Sequence, residues 1–491
     1  MKAIEESVHK VMMEAAEAFE VYKHISGKQK AQFLRNIGEE IVNLGDELIQ
    51  TVIEETNLPE ARVVGERGRT VGQLNKFADL VEEGSWKEAV IDIGDANREP
   101  LPKPDLRKML IPMGPVVVFG AGNFPLAFSV AGGDTASALA AGNPVVVKGH
   151  PAHPKTSDLV ASAIQKAIKK NDLPYGVFAL VQDDGIESGK FLVQHPKAKA
   201  VGFTGSGNGG LALVKLASER EEPIPVFAEM GSVNPVVILE NALKNNYSDI
   251  ASKLVASVNM GAGQFCTNPG LLITIKTEGF NEFVDALSNN INEATGAQMF
   301  SPGVLRNYLV NADQVMSHET VTTIAKGDEV EPNVVRPAIA TVSAADFMKN
   351  PHLHEEVFGP FSLLVVCDDT KEVKDVVASL KGQLTATLQA KDEELTKNQE
   401  LIDLLVEKCG RLLLNGVPTG VEVGAAMQHG GPFPASSDSR FTSVGVGAIK
   451  RFVRPVCYQD FPDQLLPKEL QNSNPLDVWR LVDNSWTKNA I

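Results

Sequence analysis

The chain has 491 residues, 43% of them hydrophobic, which is more than a single core usually holds, so we expect two or three domains. Its formal net charge of −16 disfavours nucleic acid and anionic membrane surfaces as partners, since both carry negative charge. No uncharged apolar run reaches the ~18 residues of a membrane span, and the first residues are not basic and then apolar. We therefore expect neither a membrane span nor a secretory signal.

Helical spacing dominates the amino-terminal segment. Apolar residues recur at helical intervals from Ile4 to Phe19, and the pattern resumes from Gln29 to about Glu55. Further on, the segment from Asp95 to Arg107 is polar and rich in proline, which is typical of an extended arm. We expect a mainly helical start followed by such an arm.

From Gly114 onward, short apolar runs alternate with helical patterns. One helix is predicted over Leu159–Ile168, started by Thr156 or Ser157 and stopped by Asn171. Runs this apolar are typical of parallel strands buried on both faces, and the ligands of such sheets bind beyond the carboxyl ends of the strands. The predicted strands are Val116–Phe119, Val145–Val147, Val177–Val181, Val201–Phe203 and Val226–Ala228.

A glycine-rich turn follows the fourth predicted strand. Gly205, Gly207 and Gly210 fit the spacing G-x-G-x-x-G, in which backbone N–H groups bind a phosphate at the start of a helix. The turn does not follow the first strand, however, and Glu229 is the only acidic residue at the end of the next strand. A tight helix-packing turn stays open as the alternative.

One cysteine stands in a glycine-flanked turn near the middle of the chain. Cys266 comes after the strand that ends in Glu229, so a thiol and a carboxylate are candidates for a nucleophile and a base. A small buried core residue is the alternative for Cys266. The four cysteines lie far apart without a C-x-x-C pair, which favours a reducing, cytoplasmic location over disulfides or structural zinc. Since His150 and His153 also lack a third ligand, we expect no metal site.

Six motifs resemble, in order and over almost the whole chain, those of the aldehyde dehydrogenase superfamily. They are Gly120-Ala121-Gly122-Asn123-Phe124-Pro125, Val147-Lys148, Phe203-Thr204-Gly205-Ser206, Glu229-Met230-Gly231, Gly263-Gln264-Phe265-Cys266 and Glu355-Glu356-Val357-Phe358-Gly359-Pro360. The resemblance implies an α/β fold with three parts. These are a Rossmann-type parallel-sheet cofactor domain (1–91 and 111–229), an α/β catalytic domain (230–445) and a small oligomerisation element (92–110 and 446–491).

Further segments resemble the branch that oxidises α-ketoglutaric semialdehyde (2,5-dioxopentanoate) to 2-oxoglutarate. They are residues 130–139, 148–154 and 428–434. This branch is also similar to an NADP-dependent fatty aldehyde dehydrogenase, so a fatty or other aliphatic aldehyde is an alternative substrate. A CoA-acylating enzyme and an inactive structural protein that keeps the fold are further alternatives, against which the complete motif set argues.

The resemblance also implies roles for individual residues. Cys266 matches the nucleophile that forms a thiohemiacetal and then a thioester. Asn123 and the Cys266 backbone N–H match the donors to the oxyanion, and Glu229 matches the base that activates the deacylating water. For His429 a packing role and a role beside the thiol stay open.

Cofactor contacts carry over from the same motifs. Lys148 matches the lysine that reaches the adenine ribose or its phosphate, and Glu356 matches the carboxylate that holds the nicotinamide ribose. Pro151 stands where many NAD-using relatives carry a glutamate, so we expect NADP, assisted by Lys148 and His150, with NAD as the alternative. The remaining predicted cofactor residues are Thr204, Gly205, Ser206, Gly210 and Phe358.

A semialdehyde that carries a carboxylate needs a cationic or polar anchor in its pocket. We predict Arg69 as this anchor, with a surface ion pair as the alternative, and Phe124 as a second substrate contact. The expected partners are thus a small aldehyde and further copies of this chain, as a dimer or tetramer. The apolar residues of the carboxyl-terminal tail predict that it packs on a core or on another subunit.

Overall fold

The computed structural model describes residues 2–183, 185–327 and 333–491. The amino-terminal segment is helical, as predicted, but the helix expected from Gln29 to Glu55 is two helices. The break falls at Gly45, whose φ of +59° lies in the left-handed region that glycine adopts without strain. The four helices are α1 (Lys2–Tyr22), α2 (Gly27–Asn43), α3 (Gly45–Thr56) and α4 (Glu60–Glu83).

An extended arm follows these helices, in agreement with the proline-rich composition. Strands β1 (Val90–Asp92) and β2 (Leu106–Pro112) pair in antiparallel fashion. Between them, Asp95 and Lys103 form an isolated antiparallel bridge. The arm is therefore held by backbone hydrogen bonds at both of its ends.

A five-stranded parallel sheet forms the first half of the molecule and confirms the predicted strands to within one or two residues. Its spatial order is β5-β4-β3-β6-β7. Strands β4 and β7 are buried along their whole length, as their unbroken apolar sequences predict. The strands are β3 (Val116–Phe119), β4 (Val145–Lys148), β5 (Phe178–Val181), β6 (Ala200–Thr204) and β7 (Val226–Glu229).

Four helices connect the strands of this sheet. The predicted helix around Leu159–Ile168 ends before Asn171, as expected, but it begins earlier, at Pro154. Proline suits the first position of a helix because it lacks only an N–H that has no intrahelical acceptor there. The helices are α5 (Gly133–Ala141), α6 (Pro154–Lys170), α7 (Glu187–Gln194) and α8 (Gly207–Ser218).

A second, seven-stranded sheet fills the other half. Its order is β11-β13-β14-β9-β8-β15-β16, with every neighbouring pair parallel except β11 and β13, and β10 pairs with β12 apart from it. The strands are β8 (Val236–Ile238), β9 (Leu271–Ile275), β10 (Ala297–Gln298), β11 (Thr322–Lys326), β12 (Val334–Val335), β13 (Ala338–Ser343), β14 (Phe361–Cys367), β15 (Gln383–Gln389) and β16 (Cys409–Leu414). The helices are α9 (Glu240–Asn259), α10 (Phe280–Glu293), α11 (Pro302–Met316), α12 (Ala344–Lys349), α13 (Thr370–Ser379), α14 (Asp392–Lys397) and α15 (Gln399–Lys408).

The carboxyl-terminal tail completes a small sheet with the arm. Strands β17 (Val453–Gln459), β18 (Arg480–Val482) and β19 (Ser485–Thr487) give the order β17-β2-β1-β18-β19. Leu466 and Leu470 are buried against this sheet, whereas Trp486 is 63% exposed. The tail thus packs on its own chain in part and presents the rest of its apolar surface outward.

The mixed α/β architecture with parallel sheets confirms the predicted fold class. The boundaries of the three predicted parts stay a prediction. Across the described residues, we find no helix that combines the length and the apolar content needed to cross a membrane.

Candidate active site

Cys266 follows a tight turn that leaves little room for side chains. After α9, Gly261, Ala262 and Gly263 all have positive φ, between +56° and +65°. A Cβ atom on Gly263 would lie 2.2 Å from the carbonyl carbon of Gly359, so only glycine fits there. The turn delivers Cys266, itself half-buried, into the space between the two large sheets.

Three reactive side chains meet at this point. The Sγ of Cys266 lies 3.4 Å from Nε2 of His429, and the same nitrogen lies 3.1 Å from Oε1 of Glu229. One potential ligand atom from each of the three residues lies within 4.8 Å of the others. Glu229 comes from the end of β7, and His429 from the segment after β16. The structure thus brings together the predicted nucleophile, the predicted base and the uncertain histidine.

Two further residues fix this group, and sequence reasoning missed both. The hydroxyl of Ser443 donates to Glu229 Oε2, and the Ser443 N–H donates to the His429 carbonyl at 2.7 Å. The N–H of His429 donates to Thr442 Oγ1 at 2.8 Å. Neither residue lies in a recognisable motif, so the sequence contains no signal that would have identified them.

The surroundings set the protonation states in opposite directions. Burial and the neighbouring Glu229 raise the pKa of the Cys266 thiol well above its ordinary value. Burial alone would also raise the pKa of Glu229, but hydrogen bonds from His429, Ser443 and the thiol outweigh it and lower that pKa. At neutral pH, the arrangement therefore pairs a protonated thiol with an ionised carboxylate.

His429 contacts the Glu229 carboxylate through Nε2, the ring nitrogen that carries the hydrogen. An ionised carboxylate only accepts hydrogen bonds, so the nitrogen 3.1 Å from Glu229 carries the hydrogen. Its Nδ1 is buried without a hydrogen-bond partner among the described residues. In this tautomer His429 stabilises the Glu229 carboxylate, and the nitrogen that faces the thiol, Nε2, has no lone pair to take the thiol proton.

Asn123 lies beside the cysteine turn. Its Nδ2 donates to the carbonyl of Gln264 at 3.0 Å, which leaves one amide hydrogen of the side chain available. The neighbouring Phe124 packs edge-on against Phe265 with a centroid distance of 5.3 Å. The predicted oxyanion donor and the predicted substrate contact therefore both adjoin the nucleophile.

Lys148 ends β4 and is buried with an unanticipated partner. Its amine donates to the carbonyls of Gly149 at 3.0 Å and Asp183 at 3.1 Å, and it lies 3.0 Å from Asp183 Oδ1. Burial would raise the pKa of Asp183, but Lys148 and Ser188 outweigh it and lower that pKa. The lysine therefore already carries a counter-charge.

His150 packs inward beside this lysine. Its Nδ1 accepts the N–H of Ala152 at 3.1 Å, and its ring stacks on that of His153 at 5.4 Å. Burial, His153 and Lys148 lower the pKa of His150 to about 4, so the ring is neutral at physiological pH. Any contribution of His150 to cofactor binding, which stays a prediction, is that of an uncharged group.

The glycine-rich turn packs closely at one of its glycines, as one of the two alternatives predicts, and binding of a phosphate there stays a prediction. Ser206 caps α8, where its Oγ accepts the N–H of Gly209 at 3.2 Å, and Thr204 ends the preceding strand. A Cβ on Gly210 would lie 2.7 Å from Met230 Sδ, which shows close packing, whereas a Cβ on Gly207 would meet nothing within 4 Å. The turn thus packs tightly on one side and leaves a helix amino terminus open on the other. Gly205 is exposed at its start.

Glu356 lies in the segment between α12 and β14, and its side chain packs against Gly231, just after the end of β7. Its Oε2 is 2.5 Å from the position that a Cβ on Gly231 would occupy. Burial raises the pKa of Glu356 to about 7, although the backbone N–H of Ser232 opposes this shift. Phe358, Glu356 and Phe265 line one small cavity, which Gly263 of the cysteine turn also lines.

Arg69 lies on α4, where burial lowers its pKa, and it is close enough to Cys266 for the charge of the thiolate to act on that pKa. It is half-buried on α4, its Nη1 donates to the carbonyl of Val421, and its guanidinium lies 5.9 Å from the ring of Phe128. Its role as a carboxylate anchor stays a prediction, as does the expectation that no metal binds.

A model of the aldehyde dehydrogenase family matches residues 1–433 of the chain. Two relatives are far more similar than chance allows. One is the alpha-ketoglutaric semialdehyde dehydrogenase 2 of Azospirillum brasilense, 49% identical over 470 residues that cover 96% of this chain and 90% of that protein. The other is the alpha-ketoglutaric semialdehyde dehydrogenase of Acinetobacter baylyi, 47% identical over 488 residues, with 99% and 92% covered.

Solved structures show the same fold at much lower identity. A glyceraldehyde-3-phosphate dehydrogenase from Methanocaldococcus jannaschii in complex with NADP has a TM-score of 0.79 at 20% identity, covering 93% of this chain and 94% of that one. A betaine aldehyde dehydrogenase mutant from Staphylococcus aureus in complex with NAD+ gives 0.79 at 18% identity, covering 93% and 89%.

Proposed function

Because the chain belongs to the aldehyde dehydrogenase family, we propose that it oxidises α-ketoglutaric semialdehyde to 2-oxoglutarate with NADP or NAD. The enzyme is an aldehyde dehydrogenase, and two relatives with nearly half of their residues identical carry this substrate in their names. The observation that carries the mechanism is the contact of Cys266, His429 and Glu229 beside Asn123.

In the first step, Glu229 accepts the thiol proton of Cys266. The thiolate adds to the aldehyde carbon, so a carbon–sulfur bond forms and the carbonyl electron pair moves to oxygen. The free amide hydrogen of Asn123 and the backbone N–H of Cys266 donate to this oxyanion. Since both donors adjoin the cysteine turn before the charge develops, little reorganisation is needed.

The cofactor residues fit a nicotinamide dinucleotide. The open amino terminus of α8 at Ser206 suits a pyrophosphate, Lys148 suits the adenine ribose, and the half-buried Glu356 suits the ribose hydroxyls of the nicotinamide half. When bound, such a cofactor supplies the hydride acceptor that an aldehyde oxidation requires. The protein's part is to hold it at the cleft that leads to Cys266.

Before the last step, Glu229 releases the thiol proton to solvent, and it then takes a proton from a water that attacks the thioester. The carbon–sulfur bond breaks, the acid leaves, and the Cys266 thiolate regains its proton. Hydrogen bonds from His429 and Ser443 keep the carboxylate ionised for this work. One carboxylate thereby serves both proton transfers.

For the cofactor we propose NADP over NAD. Pro151 places no carboxylate where it would repel a 2′-phosphate, and Lys148 supplies a cation nearby. The contact of Lys148 with Asp183 partly offsets that cation, so we expect a preference of about tenfold in kcat/KM rather than an absolute one. A large preference for NAD would overturn this choice.

A spectrophotometric panel tests the proposed function. We expect 2,5-dioxopentanoate to show a kcat/KM at least about tenfold above that of hexanal or decanal, because it alone among these aldehydes carries a carboxylate. Better turnover of decanal would favour the fatty aldehyde alternative. A requirement for CoA would favour acyl transfer, and no turnover of any aldehyde despite cofactor binding would favour an inactive fold.

Cofactor affinity should depend on pH through Glu356. Its pKa of about 7 means that the carboxylate is protonated below this pH and becomes a better acceptor for ribose hydroxyls above it. We expect the dissociation constant for NADP, measured by fluorescence titration, to fall about tenfold from pH 6 to pH 8. Glu356→Gln should remove this dependence, and a Gln variant with an unchanged pH profile would contradict it.

We also propose that the protein is cytoplasmic and assembles as a dimer or tetramer. Support for assembly comes from the small sheet, where Leu101, Trp479 and Trp486 expose large apolar surfaces. Mass measurement in solution by light scattering distinguishes the two sizes.

A further inference from the structure

Arg62 reaches the reaction centre from α4. Its guanidinium carbon lies 4.8 Å from the ring centroid of Phe124 and 4.9 Å from that of Phe265, so the cation is in contact with both rings. These rings belong to the residues next to Asn123 and Cys266. The Nη2 of Arg62 also donates to the backbone carbonyl of Asn123 at 2.7 Å.

Two other nitrogens of this guanidinium have no hydrogen-bond partner in the part of the chain that the structure describes. They are Nε and Nη1, and both are buried. Burial lowers the pKa of this guanidinium, and the charge of Glu66 only partly opposes that shift. Glu66, one helical turn away, uses Oε1 to accept the N–H groups of Leu126 and Ala127, at 2.8 and 2.9 Å. A buried cation with unpaired donors is costly, which points to an anion that is bound during function.

The cysteine turn leaves a space for this side chain. A Cβ on Gly261 would lie 2.5 Å from Nη1 of Arg62, so the glycine at this position allows the guanidinium to rest directly against the backbone that leads to Cys266. The cation is thus fixed by the turn, by two aromatic rings and by one carbonyl, with its remaining donors unpaired.

We propose that Arg62 binds the terminal carboxylate of the substrate, and thereby selects semialdehydes of short dicarboxylic acids over neutral aldehydes; this inference rests on the proposed function. A carboxylate accepts from the unpaired N–H groups and neutralises the buried cation. A neutral aldehyde leaves these N–H groups without an acceptor and the buried cation without a counter-charge.

The length of the substrate favours Arg62 over Arg69. With C–C bonds of ~1.5 Å, the two ends of a five-carbon semialdehyde are about 5 Å apart, so its anchor must adjoin the nucleophile. Arg62 contacts Phe265, the residue before Cys266. Arg69 lies seven residues further along α4, roughly 10 Å along the helix axis, and contacts Phe128 and Val421. The charge of Cys266 also acts on Arg69, so the test includes both arginines.

The test compares two substrates of equal length in matched variants. For Arg62→Met, we expect kcat/KM for 2,5-dioxopentanoate to fall about 100-fold or more, as is typical when one partner of a buried charge pair is removed. The value for pentanal should fall less than about fivefold. Arg67→Met is the control on the same helix, because Arg67 points to the carbonyl of Gly45 at 3.1 Å, and it should leave both values within about twofold.

The possible outcomes distinguish failure of the Arg62 proposal from failure of the proposed function. An equal fall for both substrates in Arg62→Met would show a merely structural role, and no fall for either would also overturn the proposal, as would loss of the preference in Arg69→Met instead. If the unaltered enzyme itself does not prefer 2,5-dioxopentanoate to pentanal, the proposed function fails, whatever Arg62 does.

A second measurement does not depend on the semialdehyde. Glutarate should inhibit pentanal oxidation competitively, and its inhibition constant should rise about tenfold or more in Arg62→Met and partly recover in Arg62→Lys, which keeps the charge. If Arg62→Met does not fold, as judged by its melting temperature, Arg62→Lys and Arg62→Gln carry the comparison. An unchanged glutarate constant in both would overturn the proposal.

Discussion

Replacing Cys266 with serine is expected to lower kcat/KM by about 10⁴-fold or more with every aldehyde and either cofactor. Serine keeps the shape of the side chain but its hydroxyl is a far weaker nucleophile than a thiolate, and no covalent intermediate forms at a useful rate. The fall is measured as the initial rate of nicotinamide reduction, followed by the absorbance of the reduced cofactor.

Cys457→Ser is the matched control for this variant. Cys457 is exposed on β17, in the small sheet, so its loss should leave kcat/KM within about twofold. A Cys266→Ser enzyme that keeps more than about a tenth of the activity would contradict the assignment. A stoichiometric thioester trapped on Cys266 and located by mass spectrometry would support it independently.

Glu229→Gln is expected to lower kcat by about 10³-fold, the range typical of removing a general base. The amide cannot take the proton of a thiol whose pKa is raised by burial, and it cannot activate the deacylating water. Rapid mixing separates the two roles. If Glu229 serves the water alone, one equivalent of reduced cofactor per site still forms in a fast burst, whereas we expect the burst to slow as well.

The neighbours of Glu229 provide controls for this prediction. His429→Ala and Ser443→Ala each remove a donor that lowers the pKa of Glu229, so we expect kcat losses of about tenfold. The carboxylate must be ionised to act, and activity is lost as pH falls through its pKa. A raised pKa therefore moves this loss to higher pH. Unchanged kcat and pH profile in His429→Ala would assign His429 a packing role.

The fold could be predicted where burial leaves a local imprint on the sequence. The strands of the first sheet are covered on both faces, so runs such as Val145–Val147 are apolar without interruption and identify themselves. The ends of these strands also located Glu229 and Lys148, because parallel strands share one functional edge. The sequence-based prediction was wrong only in local details that depend on single residues, such as the break between α2 and α3 at Gly45.

Contacts between distant segments could not be predicted in the same way. Ser443 and Asp183 contact Glu229 and Lys148 only because the chain folds back on itself, and nothing in their own neighbourhood indicates it. Helix α4 shows the same limit of sequence-based prediction. Arg62, Glu66 and Arg69 share one helix face at the spacing i, i+4, i+7. The sequence identifies this face but does not show which of the two arginines contacts the residue before Cys266.

The tail strand β18 has a consequence for the solubility of the chain. It pairs in parallel with β1 through Val90 and Ile91, and β19 then covers its outer side. A chain that ended before Arg480 would leave the backbone groups along this side of β1 without partners, and a bare sheet edge recruits strands from other molecules. The last residues thus complete the small sheet and also reduce aggregation by covering its edge.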